Sequence, residues 1–191
     1  MEILDLTHAV ILDTETTGLD NNSEVVEISL INALTGDVLF TSLVQPCDPI
    51  PAQATRIHGI TNDDVKDSPN FKIIWERHVE PLLRDKELVI YNEDFDIRLI
   101  LQSLARFCSD TFLFETQSAL YSMSHCAMVW YAGFYGQWDD YHENLRWQSL
   151  TNACRQQGID VSDLKAHRAT ADCEMTRRLI HAVNAKIVEG C

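Results

Sequence analysis

Two segments of this chain place an aspartate on the side of a helix that has to face a core. From 94 to 107, Asp96, Leu99, Ile100, Ser103, Leu104 and Phe107 recur at i, i+3, i+4, i+7, i+8 and i+11, the spacing of one helical face. In a second predicted helix, 169–188, Asp172 shares its face with Thr176, Leu179 and Val183. A buried ionised carboxylate is costly unless something positive compensates it. No Lys or Arg stands at helical spacing on either stripe, and Arg98 and Arg168 are off-face. The fold must therefore turn these two acids toward a positive partner that their own helices do not supply.

The remaining elements follow from periodicity and turn chemistry. Ala9 to Leu12 is an apolar run that reads as a buried strand leading into DTETTG. Val25–Ile31 and Val38–Val44, separated by Thr35-Gly36-Asp37, read as a hairpin, so three antiparallel strands open the fold. Thr61 is an N-cap for a helical stretch reaching Asp85 that Pro69 and Pro81 must divide. Leu88–Tyr91 resembles a further buried strand, and Ser149–Gln157, closed by Gly158, a helix. Between Ser109 and Trp147 aromatic and polar residues interleave; one strand near Leu120 and a short helix after it are expected there.

With 191 residues and no repeat or Pro/Gly-rich linker, the chain reads as a single domain, 1–191. Its 29 acids outnumber 15 Lys and Arg, a net charge of −14, which argues against a protein that coats polyanions through a basic surface. Any nucleic-acid contact has to be local, with Arg56, Arg98, Lys165 and Arg168 as candidate cations for a few phosphates. Six cysteines, at 47, 108, 126, 154, 173 and 191, form no C-x-x-C pair, so neither a disulfide framework nor structural zinc is expected. No stretch reaches the ~18 apolar residues of a membrane span and the N-terminus lacks a signal-peptide pattern, so the expected location is a reducing cytoplasm, with no membrane partner.

Asp13 and Glu15 alternate around Thr14 at a strand end, which puts both side chains on one face about 6–7 Å apart. With Asp96 and Asp172 they make a set of four oxygen donors without His or Cys, the hard-ligand chemistry of Mg²⁺ or Mn²⁺. Two such ions held about 4 Å apart stabilise both the attacking and the leaving oxygen of a phosphoryl displacement. His167, five residues before Asp172, is suited to taking a proton from water near neutral pH. Any one of these residues alone has an ordinary explanation in a turn or a solvated loop; the five in this order do not.

ILDTETTGL at 11–19, YNEDFD at 91–96 and HRATAD at 167–172 resemble the three motifs of the DEDDh 3′-5′ exonucleases, among them bacterial proofreading subunits, RNase T and oligoribonuclease. IHGIT at 57–61 and RWQSLTNACRQQGI also fall where that family has similar stretches, so the resemblance covers the whole chain. It implies an α/β, RNase H-like exonuclease fold with a mixed central sheet flanked by helices. It also implies Asp13, Glu15, Asp96 and Asp172 as ligands of two divalent ions, His167 as general base, and Asp13 bridging both ions. Tyr91 stands where many members carry histidine, while Asn92, Phe95 and Asp96 match.

Thr16, Thr17 and Gly18 suit either backbone N–H contacts to a terminal nucleotide or an ordinary exit from strand to turn, and His58 either a contact to that nucleotide or a cap on the next helix; Asn92 completes the expected substrate-binding set. Glu27 suits either an acid supporting the cluster from behind or an exposed strand face, and is left out of the candidate site. Trp130, Tyr131, Phe134, Tyr135 and Trp138 suit either a base-stacking platform or a core. The leading reading is an enzyme that removes nucleoside 5′-monophosphates from single-stranded or frayed 3′ ends of DNA or RNA. The competing class is a weakly active or inactive interaction module attached to a polymerase or repair complex. Retention of all five catalytic positions counts against it, as does a chain ending at Cys191 with little tail to act as a tether. A polymerase or repair partner and a homodimer are both compatible with the resemblance. Dinucleotide binding is set aside, because both G-x-G-x-x-G and G-x-x-x-x-G-K-[ST] are missing.

Overall fold

The computed structural model describes residues 1–190; Cys191 and the tether expectation attached to it lie outside them. The strands are β1 (Ala9–Thr16), β2 (Val25–Asn32), β3 (Val38–Leu43), β4 (Glu87–Ile90) and β5 (Ser124–Cys126), which form one sheet in the order β3-β2-β1-β4-β5; β6 (Trp138–Asp139) and β7 (Asn144–Leu145) form a small hairpin of their own. The helices are α1 (Ala52–His58), α2 (Asn62–Val65), α3 (Phe71–Ile74), α4 (Glu80–Leu83), α5 (Glu93–Ala105), α6 (Asp110–Met123), α7 (Ala127–Tyr135), α8 (Leu150–Gln157) and α9 (Ala169–Glu189). β1, β2 and β3 run antiparallel as their turn chemistry requires, whereas β4 and β5 add in parallel, so the sheet is mixed. Gly36 turns the β2–β3 corner at φ +82°, and a side chain there would also press on the Arg177 guanidinium.

β1 is central, and its period of two sorts the core into two layers. Val10 and Leu12 pack with Ile97, Leu99 and Ile100 of α5, while Ile11 packs with Leu179, Ile180 and Val183 of α9. Leu12 is fully buried, so Leu12→Ala would cost about 2–5 kcal/mol. The alternation continues into the acids. Asp13 and Glu15 turn toward α9, and Thr14 turns toward α5.

Two expectations need correction. Pro69 does divide its helical stretch: α2 ends before it and α3 begins after it, capped by Asn70. Pro81 does not. The chain widens into a π-helical turn over Trp75–Val79 and continues into α4, absorbing the hydrogen bond that proline cannot donate. Leu120 lies in a helix rather than a strand. Ser109 caps α6, whose Phe112, Leu113, Leu120 and Met123 pack on the α5 layer, and the expected strand is the three-residue β5 that follows. The aromatic group also splits, with Tyr131 fully buried and Trp138 58% exposed, so it is no single platform.

Candidate active site

β1 and β4 run parallel, so their C-terminal ends and the start of α5 meet at one edge of the molecule. A bulge between Glu15 and Thr16 marks where β1 leaves its register with β2. Here one carboxylate oxygen each of Asp13, Glu15 and Asp172 lies within 4.8 Å of the others. Asp172 reaches the group from the first turn of α9, where the N-terminal end of a helix favours negative charge. Asp96 comes from the first turn of α5 on the other side of β1; its Oδ1 accepts from the Thr14 N–H at 3.1 Å and from Thr14 Oγ1 at 2.7 Å. The two stripes that carried an out-of-place acid thus deliver both acids to the same strand end.

Electrostatically the group is under tension. Burial, followed by the charges of Asp96, Asp172 and Glu15, holds the Asp13 carboxyl far above the ordinary range. Burial pushes Glu15 up to about 8, with Asp172 and Glu27 adding to it, and pushes Asp96 up to about 7 against the two bonds from Thr14. Asp172 is raised by burial as well, partly offset by His167. Among the described residues none of the four forms an ion pair with a Lys or Arg. Oxygen donors that are buried, crowded and without a cation fit a divalent ion of the hard class.

His167 sits just outside this group on the turn before α9. Its backbone adopts φ +61°, rare for a residue with a side chain, and its N–H donates to Asp172 Oδ2 at 3.3 Å. The turn is fixed by a residue that sequence reasoning set aside. Glu27 is buried, not on an exposed face. Its carboxylate accepts from Arg168 Nε at 3.0 and 3.1 Å and from the Ala169 N–H at 2.9 Å. β2 has a neighbour on each edge and helices on its faces, which buries even its glutamate, and the local sequence VVEISLI carries no sign of this.

The candidate substrate residues divide. Thr16, Gly18 and His58 line a cleft of about 480 Å³ next to the acids, together with Ile57 and Phe95. A Cβ on Gly18 would stand 2.9 Å from Ser23 Oγ, so Ser23 would have to turn aside to admit a side chain there. The Thr17 N–H is already bonded to the Glu24 carbonyl at 2.8 Å and has nothing to offer a nucleotide. His58 ends α1 and its Nδ1 accepts from the Ile60 N–H at 2.9 Å; burial lowers the pKa of its ring. Asn92 does not line this cleft. It is exposed and starts α5, its carbonyl accepting from the N–H groups of Phe95 and Asp96. Of the four local cations, Arg168 is committed to Glu27, and Arg98 donates to the Leu19 and Asp20 carbonyls and to Gln102. Arg56 and Lys165 are exposed, and the Lys165 ammonium stands 3.6 Å from where a side chain on Gly59 would begin.

A family model described as an exonuclease matches residues 10–180. An uncharacterized exonuclease of Escherichia phage 186 is 40% identical over 91% of this chain and 87% of its own length. The DNA polymerase III epsilon subunit of Rickettsia conorii is 36% identical over 50% of this chain, a match that spans only 44% of that protein. Among solved structures, exonuclease X in complex with 5′ overhanging duplex DNA superposes with a TM-score of 0.65, at 24% identity over 93% of this chain and 92% of its own. E. coli exonuclease I in complex with a dT13 oligonucleotide gives a TM-score of 0.70 at 18% identity, over 95% of this chain and 40% of its own. These two likenesses show the same RNase H-like fold. The chain belongs to the exonuclease family, and its buried acid cluster fits a metal-dependent exonuclease.

Proposed function

We propose that this protein is a single exonuclease domain, 1–191, that removes nucleoside 5′-monophosphates one at a time from 3′ ends of DNA or RNA. The observation that carries the reading is the convergence of Asp13, Glu15 and Asp172 on one point, with Asp96 beside them and His167 at the rim. In this reading the four acids hold two divalent ions, Mg²⁺ or Mn²⁺, which when bound draw charge from the phosphoryl oxygens. His167 accepts the proton of the attacking water, a step that its exposed ring and fixed backbone allow. Thr16, Gly18 and His58 wall the cleft that receives the terminal nucleotide, and Lys165 and Arg56 are the cations free to meet its neighbouring phosphates. Asn92 positions α5, and through it Asp96, rather than touching substrate. Similarity to epsilon subunits and to DNA-bound structural neighbours supports single-stranded or frayed 3′ ends as substrate and a polymerase or repair complex as the setting.

The test is incubation of the protein with DNA and RNA oligonucleotides labelled at either end, with Mg²⁺ or Mn²⁺, followed by product sizing. A ladder shortening by single nucleotides from the 3′ end is expected. Release of the 5′ label as a mononucleotide would reverse the assigned polarity.

A further inference from the structure

Phe95 is part of the wall of the cleft beside the acids. The other side of that residue opens into a trough between α5 and α6, where Asp94, Arg98, Gln117 and Tyr121 form the walls. The trough shares Leu101, Gln102 and Gln117 with a further hollow that reaches Phe114. The cleft, the trough and this hollow thus lie in succession along α5, with the Phe95 side chain as the wall between the first two. Between Asp94 and Ala105 an α-helix rises about 16 Å, room for about five stacked nucleotides.

Its chemistry is that of bases rather than phosphates. Phe114 is 71% exposed and Tyr121 42% exposed on the same face of α6, two turns apart, with no core function to explain the first of them. Arg98 lies over the Phe95 ring at 5.4 Å, a flat cation beside a flat ring on the trough wall. Asp94, on the trough wall, accepts from the Tyr121 hydroxyl at 3.1 Å and so holds the ring there. A chain with a net charge of −14 gains little by tracking a backbone of phosphates, whereas stacking on rings needs no basic surface.

We propose that the trough between α5 and α6 is the track for the nucleotides upstream of the 3′ end, with bases stacked on Phe95, Tyr121 and Phe114 and phosphates turned to solvent. This rests on the nuclease reading for the site it feeds. The track is distinguished by a combination that neither a basic groove nor a bare cleft gives: affinity that rises with strand length, and weak dependence on salt.

The experiment measures anisotropy of a labelled single-stranded octanucleotide in EDTA, with a dinucleotide as competitor, on the native protein and on Phe114→Ala, Tyr121→Ala and Tyr121→Phe. Loss of a stacking ring is expected to weaken octanucleotide binding roughly 5- to 100-fold and leave dinucleotide binding in place. Tyr121→Phe, which keeps the ring but loses the bond to Asp94, is expected to bind the octanucleotide more tightly than Tyr121→Ala does. With the phosphates turned to solvent, and Arg98 the one cation among the described residues lining the track, the log–log salt slope should lie between zero and about −0.7. Octanucleotide affinity unchanged in both alanine variants would overturn the proposal and leave the trough as a surface facing a protein partner. A slope steeper than about −3 would overturn it in favour of a phosphate track. Hydrolysis of the octanucleotide by the native protein with Mg²⁺, run alongside, tests the nuclease reading separately: ring-dependent binding without hydrolysis would fail that reading alone.

Discussion

Arg168 holds both oxygens of Glu27 through its Nε, at 3.0 and 3.1 Å, across a gap of 141 residues in sequence. Glu27 stands directly opposite Glu15 in the β1–β2 ladder, where two like charges would destabilise the sheet. The arginine removes that conflict on one side, leaving Glu15 free for the acid cluster. The same carboxylate caps the first turn of α9 through the Ala169 N–H, and so fixes the turn that carries His167.

Removing the arginine should therefore do more harm than removing the acid. Arg168→Ala leaves a buried, uncompensated carboxylate facing Glu15 and is expected to cost about 3 kcal/mol, while Glu27→Gln, which leaves a partly exposed arginine able to find water, should cost about 1–2 kcal/mol. Urea denaturation of both variants in EDTA checks the order. Equal or reversed costs would show that the pair is not what neutralises Glu27.

The metal-free protein should lose stability as pH rises. Glu15 and Asp96 have carboxyls raised to about 8 and about 7, so the folded state holds protons that the unfolded chain releases near pH 4. Their contribution is complete below about pH 4 and is lost as pH climbs through 7 to 8. Melting temperature in EDTA should therefore fall between pH 5 and pH 8 beyond any trend common to the fold, and Glu15→Gln should flatten that fall. A melting temperature that rises over this range in EDTA would contradict the charge assignment.

Divalent ions should reverse the effect. At ten to a hundred times its dissociation constant, an ion bound only by the folded state adds about 1.4 to 2.7 kcal/mol per site. Mg²⁺ or Mn²⁺ should raise the melting temperature at pH 8 more than at pH 5, because protons and the ion compete for the same oxygens. A pH-independent rise would point to binding elsewhere on this acidic surface.

His167→Ala removes the proposed proton acceptor and no carboxylate. The catalytic constant should fall by roughly 10² to 10⁴ while the stabilisation by Mg²⁺ persists. Loss of that stabilisation would make the histidine a ligand.

Much of this site was legible before the fold, and for a physical reason. An acid on an apolar stripe breaks the helical pattern, so Asp96 and Asp172 stood out, and the strand-end spacing of Asp13 and Glu15 implied one face. What was hidden depends on contacts distant in sequence. Glu27 and Arg168 declare themselves only when α9 meets β2, and Leu120 reads as strand or helix until Ser109 is seen to cap α6. Pro81 misled because a π turn upstream accommodates it, something no local propensity announces. The cations named from the sequence were candidates by charge alone, and packing committed Arg98 and Arg168 to other oxygens.

The central claim is that the acid cluster holds the ions that carry out hydrolysis. It is tested most directly by titrating native protein and Asp13→Asn with Mn²⁺ calorimetrically and assaying the same preparations on one single-stranded oligonucleotide. The expected result is two ions bound by the native protein, loss of ion binding in Asp13→Asn, and loss of hydrolysis with it, while the variant stays folded and is at least as stable in EDTA. Undiminished hydrolysis by Asp13→Asn would contradict the account.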